Sequence, residues 1–253
     1  MPKIHFASLF GVDLDYDIIV QWCAHYASMK YDTYTVFLHS IDPSSTRFQF
    51  IRRAMKVSGF TVIEAPAVPY TTQMRNDLLD GFAKSLDPLD YLVVADSDEF
   101  HSTGPWTSNF RDLIMSCDVL YGKLVDRWAD SLIEANPTLP LDEQYPHAGD
   151  IFKIVFARTR DPERERWHAP VLDKILAARA GLPVSHVGSH TLYRRDVHTK
   201  ERHSCIVNHY KWRQSLFDRL KTKWYYKESY DSAVADFFHC DIAKCKQLEG
   251  VPV

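Results

Sequence analysis

The sequence predicts an open α/β sheet covered by helices. Strand-like and helix-like patterns follow one another in βαβαβαβ order through the first hundred residues. The last strand of that series, Tyr91 to Ala95, is nearly all apolar, as expected at the centre of a parallel sheet. The chain has 253 residues, 45% of them hydrophobic, which is enough for one substantial core.

Each element has its own signal. Ile4 to Leu9 reads as a buried strand, and Ile18, Trp22, Tyr26 and Met29 follow at helical spacing. Tyr34 to Leu38 is rich in β-formers, and Phe48, Ile51, Met55 and Ser58 are helix-spaced again. Phe60 to Ile63 is a third strand, and Met74, Leu78, Phe82 and Leu86 form a strict i, i+4 stripe. After Phe100 the alternation breaks. Gly104-Pro105 marks a turn, a short helix is expected over Asn109 to Ser116, and Val119 to Val125 reads as a strand. Ser131 to Asp150 carries Pro137, Pro140 and Pro146, so a loop able to reach over a site is expected. Ile151 to Ala157 is a strand candidate, Asp161 to Arg166 a charged turn, and Lys174 to Leu182 fits helix or strand. His203 to His209 returns to the sheet. Trp212, Leu216, Leu220 and Trp224 mark one face of a helix, and Val234, Phe237 or Phe238, Ile242 and Cys245 mark a last one.

Tyr91 to Phe100 carries the chemistry. A buried strand runs directly into Asp96, Asp98 and Glu99. In open α/β sheets ligands bind beyond the carboxyl ends of the strands. Clustered carboxylates there repel one another, and a divalent cation relieves the repulsion. Mg²⁺ or Mn²⁺ favours oxygen ligands and commonly shares them between carboxylates and substrate phosphates. Acids that merely cap a loop are the plainer alternative.

In this context the sequence resembles the glycosyltransferase family 2-like group of the GT-A fold, particularly members with a DxDEF motif. The resemblance rests on Asp96-Ser97-Asp98-Glu99-Phe100 and four further segments in order: Val125 to Ala129, Glu143 to Pro146, Lys174 to Arg179 leading to Gly188-Ser189-His190, and His209 to Trp212. It implies a GT-A (Rossmann-like) open mixed sheet flanked by helices over 1–225. Within it, 1–100 would be the nucleotide-binding half and 101–225 the acceptor and metal half, with a C-terminal helical extension over 226–253. It also implies a nucleotide-sugar donor, UDP-sugars favoured, a divalent Mn²⁺ or Mg²⁺, and inversion at the sugar during transfer to a glycan, polysaccharide or lipid-linked acceptor.

On that resemblance Asp96 and Asp98 take the metal and donor roles, with Asp98 the more direct metal ligand and His209 a further one. Asp13, after the first strand, and Arg75, which begins the third helix, are expected to face the donor; Ser40 and Asp42 lie at a similar strand end. The usual family opening, an acid just after an Asn, is missing from Ser8 to Asp13. Inversion needs a base for the acceptor hydroxyl. Asp126, Asp150 and Asp173 are candidates, with Asp126 preferred because it follows a strand bordering the acceptor side. His190 serves instead as base or acceptor guide. Lys174 contacts a phosphate or balances the acids, and Glu99 orients a metal ligand.

A net charge of −3 argues against nucleic acid as a partner, yet Arg194 to Lys227 holds ten Lys/Arg against three acids. That run suits a solvated helix face, a phosphate or an anionic membrane, so peripheral membrane contact through a basic 211–227 helix is expected. Five cysteines form no zinc-ligand set, and no basic-then-apolar leader or 20-residue apolar run is seen. A cytoplasmic protein, peripheral at the inner face of the membrane, is the expectation. Two rival readings are a nucleotidyltransferase that makes a sugar nucleotide, disfavoured by the single Gly and absent Lys/Arg in Ser8 to Asp13, and a non-catalytic nucleotide-sugar-binding domain.

Overall fold

The computed structural model describes residues 2–102, 110–129, 133–149, 173–182, 199–211 and 213. Strand β1 (Ile4–Gly11) is buried along its whole length, because it is parallel to β2 (Thr33–His39) on one side and to β4 (Tyr91–Val94) on the other. Strand β3 (Thr61–Glu64) pairs in parallel with β2 and forms one edge. The spatial order 3-2-1-4 makes this a Rossmann-like half with its switch point between β1 and β4.

Side-chain alternation along β1 feeds two cores. A single turn, α1 (Val12–Asp15), follows β1. Phe6 and Phe10 point into an aromatic-rich cluster with Trp22 and Tyr26 of helix α2 (Ile19–Ser28) and with Phe48, Ile51 and Met55 of α3 (Thr46–Val57). Ala7 and Leu9 face the opposite cluster, beneath Leu79 and Ala83 of α4 (Thr72–Ser85). Helices α2 and α3 thus cover one face and α4 the other, the doubly wound arrangement that opens a crevice at a switch point. Ser45 and Thr71 cap α3 and α4 by accepting from the amides of Phe48 and Met74. The buried stripe of α4 runs through Arg75, Leu79 and Ala83, and the expected Met74, Leu78 and Phe82 pack half-buried beside it. The stripe is displaced because the residue nearest the sheet at the top of the helix is a buried arginine, Arg75, paired with Asp96.

Beyond β4 the sheet becomes mixed. Strand β8 (Asp173–Arg179) is antiparallel to β4 and to β6 (Val119–Trp128). Strand β9 (Thr199–His209) is parallel to β6, and β5 (Glu99–Ser102) closes the far edge antiparallel to β9. A short β7 (His147–Gly149) pairs with β6 beside the main path. Among the described residues this is one nine-stranded open sheet flanked by helices, the fold class expected. Lys174 to Leu182 resolves as strand as far as Arg179, followed by a turn: the alanines favour helix by propensity, but Ile175 to Ala178 are buried between β4 and β6. Strand β5 has no counterpart in the sequence reading, since four residues that include His and Ser give no hydrophobic period. The expected short helix appears as α5 (Phe110–Met115), and the proline-rich stretch contains the single turn α6 (Leu141–Gln144). Asp150, His190, the 151–157 strand, the 161–166 turn, Gly104-Pro105, the bulk of the 211–227 helix and the 226–253 extension lie outside the described residues. None of the described helices is long and apolar enough to cross a membrane.

Strands β1, β2, β3, β4, β6 and β9 all run the same way. Their carboxyl ends share one edge of the sheet, together with the starts of the antiparallel β5 and β8. Strand β6 sits between β8 and β9, and its register shifts on both sides near Gly122. A Cβ there would stand 2.7 Å from Leu176 Cδ1 and 3.0 Å from the Cys205 carbonyl oxygen. Gly122→Ala should therefore lower stability by about 1–3 kcal/mol, read by urea denaturation; an unchanged midpoint would show that the strand can shift freely.

Candidate functional site

Asp96, Ser97 and Asp98 form the turn between β4 and β5. The Asp96 amide donates to Glu99 Oε2 at 3.0 Å, and the Glu99 amide donates to the Asp96 carbonyl at 3.2 Å. Helix α2 pins the same turn from below. Trp22 Nε1 reaches the Asp96 carbonyl at 3.4 Å, and Tyr26 Oη donates to the Glu99 carbonyl at 3.0 Å. The helical spacing of Trp22 and Tyr26 therefore serves the site as well as the core.

Three cations meet these acids, and a fourth lies beside them. Arg75 binds Asp96 Oδ1 through Nε at 2.7 Å and NH2 at 2.5 Å. Lys174, at the start of β8, binds Asp96 Oδ2 at 2.8 Å and Glu99 Oε1 at 2.6 Å with its side chain only 2% exposed. Burial opposes the charge on Asp96, but Arg75 and then Lys174 outweigh it and hold the carboxyl well below the usual range. Burial also opposes the Lys174 ammonium, and Asp96 with Glu99 overcomes that and raises it. For Glu99 burial prevails over Lys174, and its carboxyl is pushed up.

His209 ends β9 with Asp126 of β6 and Glu99 of β5 as its register neighbours. Its Nδ1 lies 2.7 Å from Asp126 Oδ1, and its Nε2 lies 3.4 Å from Asp98 Oδ2. An ionised carboxylate only accepts, so Nδ1 carries the proton toward Asp126 and Nε2 faces Asp98. Burial disfavours a charged His209, yet Asp98 and Asp126 raise it to about 10. Asp98 is held far below its ordinary value: burial opposes this, and His209, Arg213 and Lys211 outweigh it. The Tyr210 amide also donates to the Asp98 carbonyl at 2.8 Å.

The fourth cation is Arg213, fully buried. It pairs with Asp15 at 2.5 Å and Asp17 at 3.1 Å, and donates to the Tyr210 carbonyl. Ser97 Oγ donates to the other Asp15 oxygen at 2.5 Å. This group was not anticipated from sequence. Its trace is that Ile4 to Met29 contains three Asp and no Lys or Arg, so compensation has to come from elsewhere in the chain.

The sequence candidates divide accordingly. Asp96, Asp98, Arg75, Lys174, Asp126 and His209 come together at the carboxyl edge. Asp13 stands apart, exposed after β1, accepting from Ser40 Oγ at 3.0 Å and the Ile41 amide at 3.1 Å. Asp96, Asp98 and His209 do not converge as one ligand set: among the described residues no three His, Cys, Asp or Glu side chains are placed to hold a metal ion together. His190 lies outside the described residues.

No protein-family model matches the sequence, and no curated protein matches it. Among solved structures, mannose-6-phosphate isomerase from Helicobacter pylori is similar with a TM-score of 0.38 and 10% identity, over 71% of each chain. A 4-diphosphocytidyl-2C-methyl-D-erythritol synthase follows at TM-score 0.33 and 13% identity, over 72% of this chain and 77% of that one. S. aureus TarS matches at 0.32 and 15%, over 56% of this chain and 26% of its own. With scores this low, the site's reading rests on its own geometry.

Two outcomes follow. Lys174→Met leaves Asp96 and Glu99 short of a buried partner and should cost about 3–5 kcal/mol by urea denaturation, part of it recovered when Glu99→Gln is added; a cost below about 1 kcal/mol would contradict the buried pairing. Beside the site, burial lowers His101 to about 3 and His25 to about 4. Neither ring nitrogen of His101 has a hydrogen-bond partner among the described residues. The unfolded chain titrates both near about 6.5 and so binds more protons below that pH. Stability should fall as pH drops from about 6.5 toward 4, by up to about 1.4 kcal/mol per unit for each histidine. The slope should be shallower in His101→Gln, and equal slopes would remove His101 from the account.

Proposed function

We propose that the chain is a metal-dependent glycosyltransferase that moves a sugar from a nucleotide-sugar donor to a glycan, polysaccharide or lipid-linked acceptor. UDP-sugars are the favoured donors and inversion the favoured outcome. The observation that carries this reading is the line Asp98–His209–Asp126 at the carboxyl edge, beside the switch point of a Rossmann-like half. A ligating histidine characteristically donates its second ring nitrogen to a carboxylate, and Asp126 accepts that bond here. The 3.4 Å between His209 Nε2 and Asp98 Oδ2 suits two neighbouring ligands of one octahedral ion, for which bonds of about 2.1 Å imply an edge of about 3 Å.

The donor set of one carboxylate and one imidazole therefore fits Mn²⁺ or Mg²⁺ held jointly by the protein, the donor diphosphate and water. When bound, such an ion neutralises the departing nucleoside diphosphate. The protein's own groups do the rest. Asp98 and His209 offer the ligands, and Asp126 orients His209. Asp96 is anchored by Arg75 and Lys174 and keeps 29% of its side chain exposed, so it meets the donor from the cleft. Asp13 and Ser40, at the ends of β1 and β2, suit the nucleoside side. Asp126 is committed to His209, which leaves the acceptor base to His190 or another acid of the acceptor half. A peripheral membrane contact through 211–227 and a cytoplasmic setting remain part of the proposal.

A thermal-shift panel of UDP-, GDP-, CMP- and dTDP-sugars with and without Mn²⁺ tests it, since ligands of the native state raise the melting temperature. A UDP-sugar with Mn²⁺ should shift the protein more than either alone, and Asp98→Ala should abolish both that synergy and metal-dependent donor hydrolysis while remaining folded. Asp126→Asn should weaken Mn²⁺ about 10- to 100-fold. Full donor turnover by Asp98→Ala, or in excess chelator, would sink the metal role.

A further inference from the structure

Arg213 forms its ion pairs with Asp15 and Asp17, not with the proposed ligands, and is among the most completely buried of the described side chains. Its partners Asp15 and Asp17 lie 198 and 196 residues earlier in the chain. Both acids follow β1, on the opposite flank of the switch point from Asp98. Asp15 is engaged at both oxygens: Oδ1 receives Arg213 and Oδ2 receives the hydroxyl of Ser97. Ser97 is the residue between Asp96 and Asp98, so the chain of contacts Arg213–Asp15–Ser97 ends inside the metal turn. A second route is shorter. Arg213 donates to the Tyr210 carbonyl, and the Tyr210 amide donates to the Asp98 carbonyl. Asp17 ties the same guanidinium to a third segment, because its Oδ2 also accepts from the Ala135 amide at 3.2 Å.

We propose that Arg213 is a positioning residue, setting the place of Asp98 through Ser97 on one side and Tyr210 on the other. The inference rests on the reading of Asp98 and His209 as metal ligands. Residue chemistry supports it. A planar guanidinium can serve two carboxylates and a carbonyl at fixed angles, whereas an ammonium is a single point charge. Burying that charge is worthwhile only if it is fully paired, and here it is. The arrangement makes the metal turn depend on Arg213, just after β9.

The test is Mn²⁺ binding in the presence of UDP, followed by the electron paramagnetic resonance signal of free Mn²⁺, alongside melting temperature. Arg213→Met should weaken Mn²⁺ about 10- to 100-fold, the range for partners that orient ligands, and Arg213→Lys should fall between it and the parent. Ser97→Ala removes the link to the turn and keeps Asp15 paired with Arg213, although one buried Asp15 oxygen loses the Ser97 donor. It should weaken Mn²⁺ while lowering the melting temperature less than Arg213→Met does. A purely structural arginine would lower the melting temperature and leave Mn²⁺ affinity intact. Parent-like affinity in Ser97→Ala and in folded Arg213→Met overturns the proposal, and Ser97→Ala decides alone if Arg213→Met does not fold. Failure of the unsubstituted protein to bind Mn²⁺ with any nucleoside diphosphate would instead remove the metal reading itself, and this inference with it.

Discussion

Three carboxylates within four residues at the end of a buried strand repel one another, and each loses hydration by lying where it does. The structure meets this constraint with cations drawn from three other parts of the chain. Arg75 arrives at the top of α4, Lys174 at the start of β8 and His209 at the end of β9. Each sits where the sheet's direction brings it to the same edge. The mixed topology follows from this need. An antiparallel β8 puts its start, not its end, beside the carboxyl end of β4, and that is how Lys174 reaches both Asp96 and Glu99.

Helices α2 and α3 cover one face and α4 the other, the order that places ligands beside the switch point in folds of this kind. Here the loops after β1 and β4 are tied to each other directly, Ser97 Oγ donating to Asp15 Oδ2. Trp22 and Tyr26 hold the backbone of the Asp96 turn from the α2 side, and Arg213 bridges the β1 loop to the end of β9. Packing and polar bonding act on the same few residues, so the aromatic core beneath the site is also its foundation.

The parallel half was legible because buried strands and amphipathic helices write their periods directly into the sequence. Four strands and three helices there lie where periodicity puts them, with α4 rotated by one residue because a charged residue, invisible to a hydrophobic pattern, is buried against Asp96. The second half was less legible. Strand β8 is alanine-rich and owes its conformation to neighbours on both sides, while β5 is four residues long and carries no period. In the site, Asp96 and Asp98 stood out because acids after an apolar strand are anomalous. The Asp15, Asp17 and Arg213 group did not, because nothing local distinguishes a buried arginine from its neighbours in a basic run. Only the surplus of acid between Ile4 and Met29 hinted at it.

The acids of the site are not held alike, and the difference bears on what the site can do. Asp96 and Glu99 are engaged by side chains of permanent charge at 2.5–2.8 Å. Groups held so closely from inside the fold are stabilised in place and have little reason to exchange partners. Among the described residues the one ion pair of Asp98 is a longer contact to an imidazole whose other nitrogen is already fixed by Asp126, with the charges of Arg213 and Lys211 adding to it. Its backbone is anchored by Tyr210, while its carboxylate makes the longest of these pairings among the described residues. An acid rigid at the main chain and loosely paired at the side chain is suited to receive a cation from outside. Under the proposed function, the tight pairs around Asp96 and Glu99 are what allow Asp98 to be left in that condition.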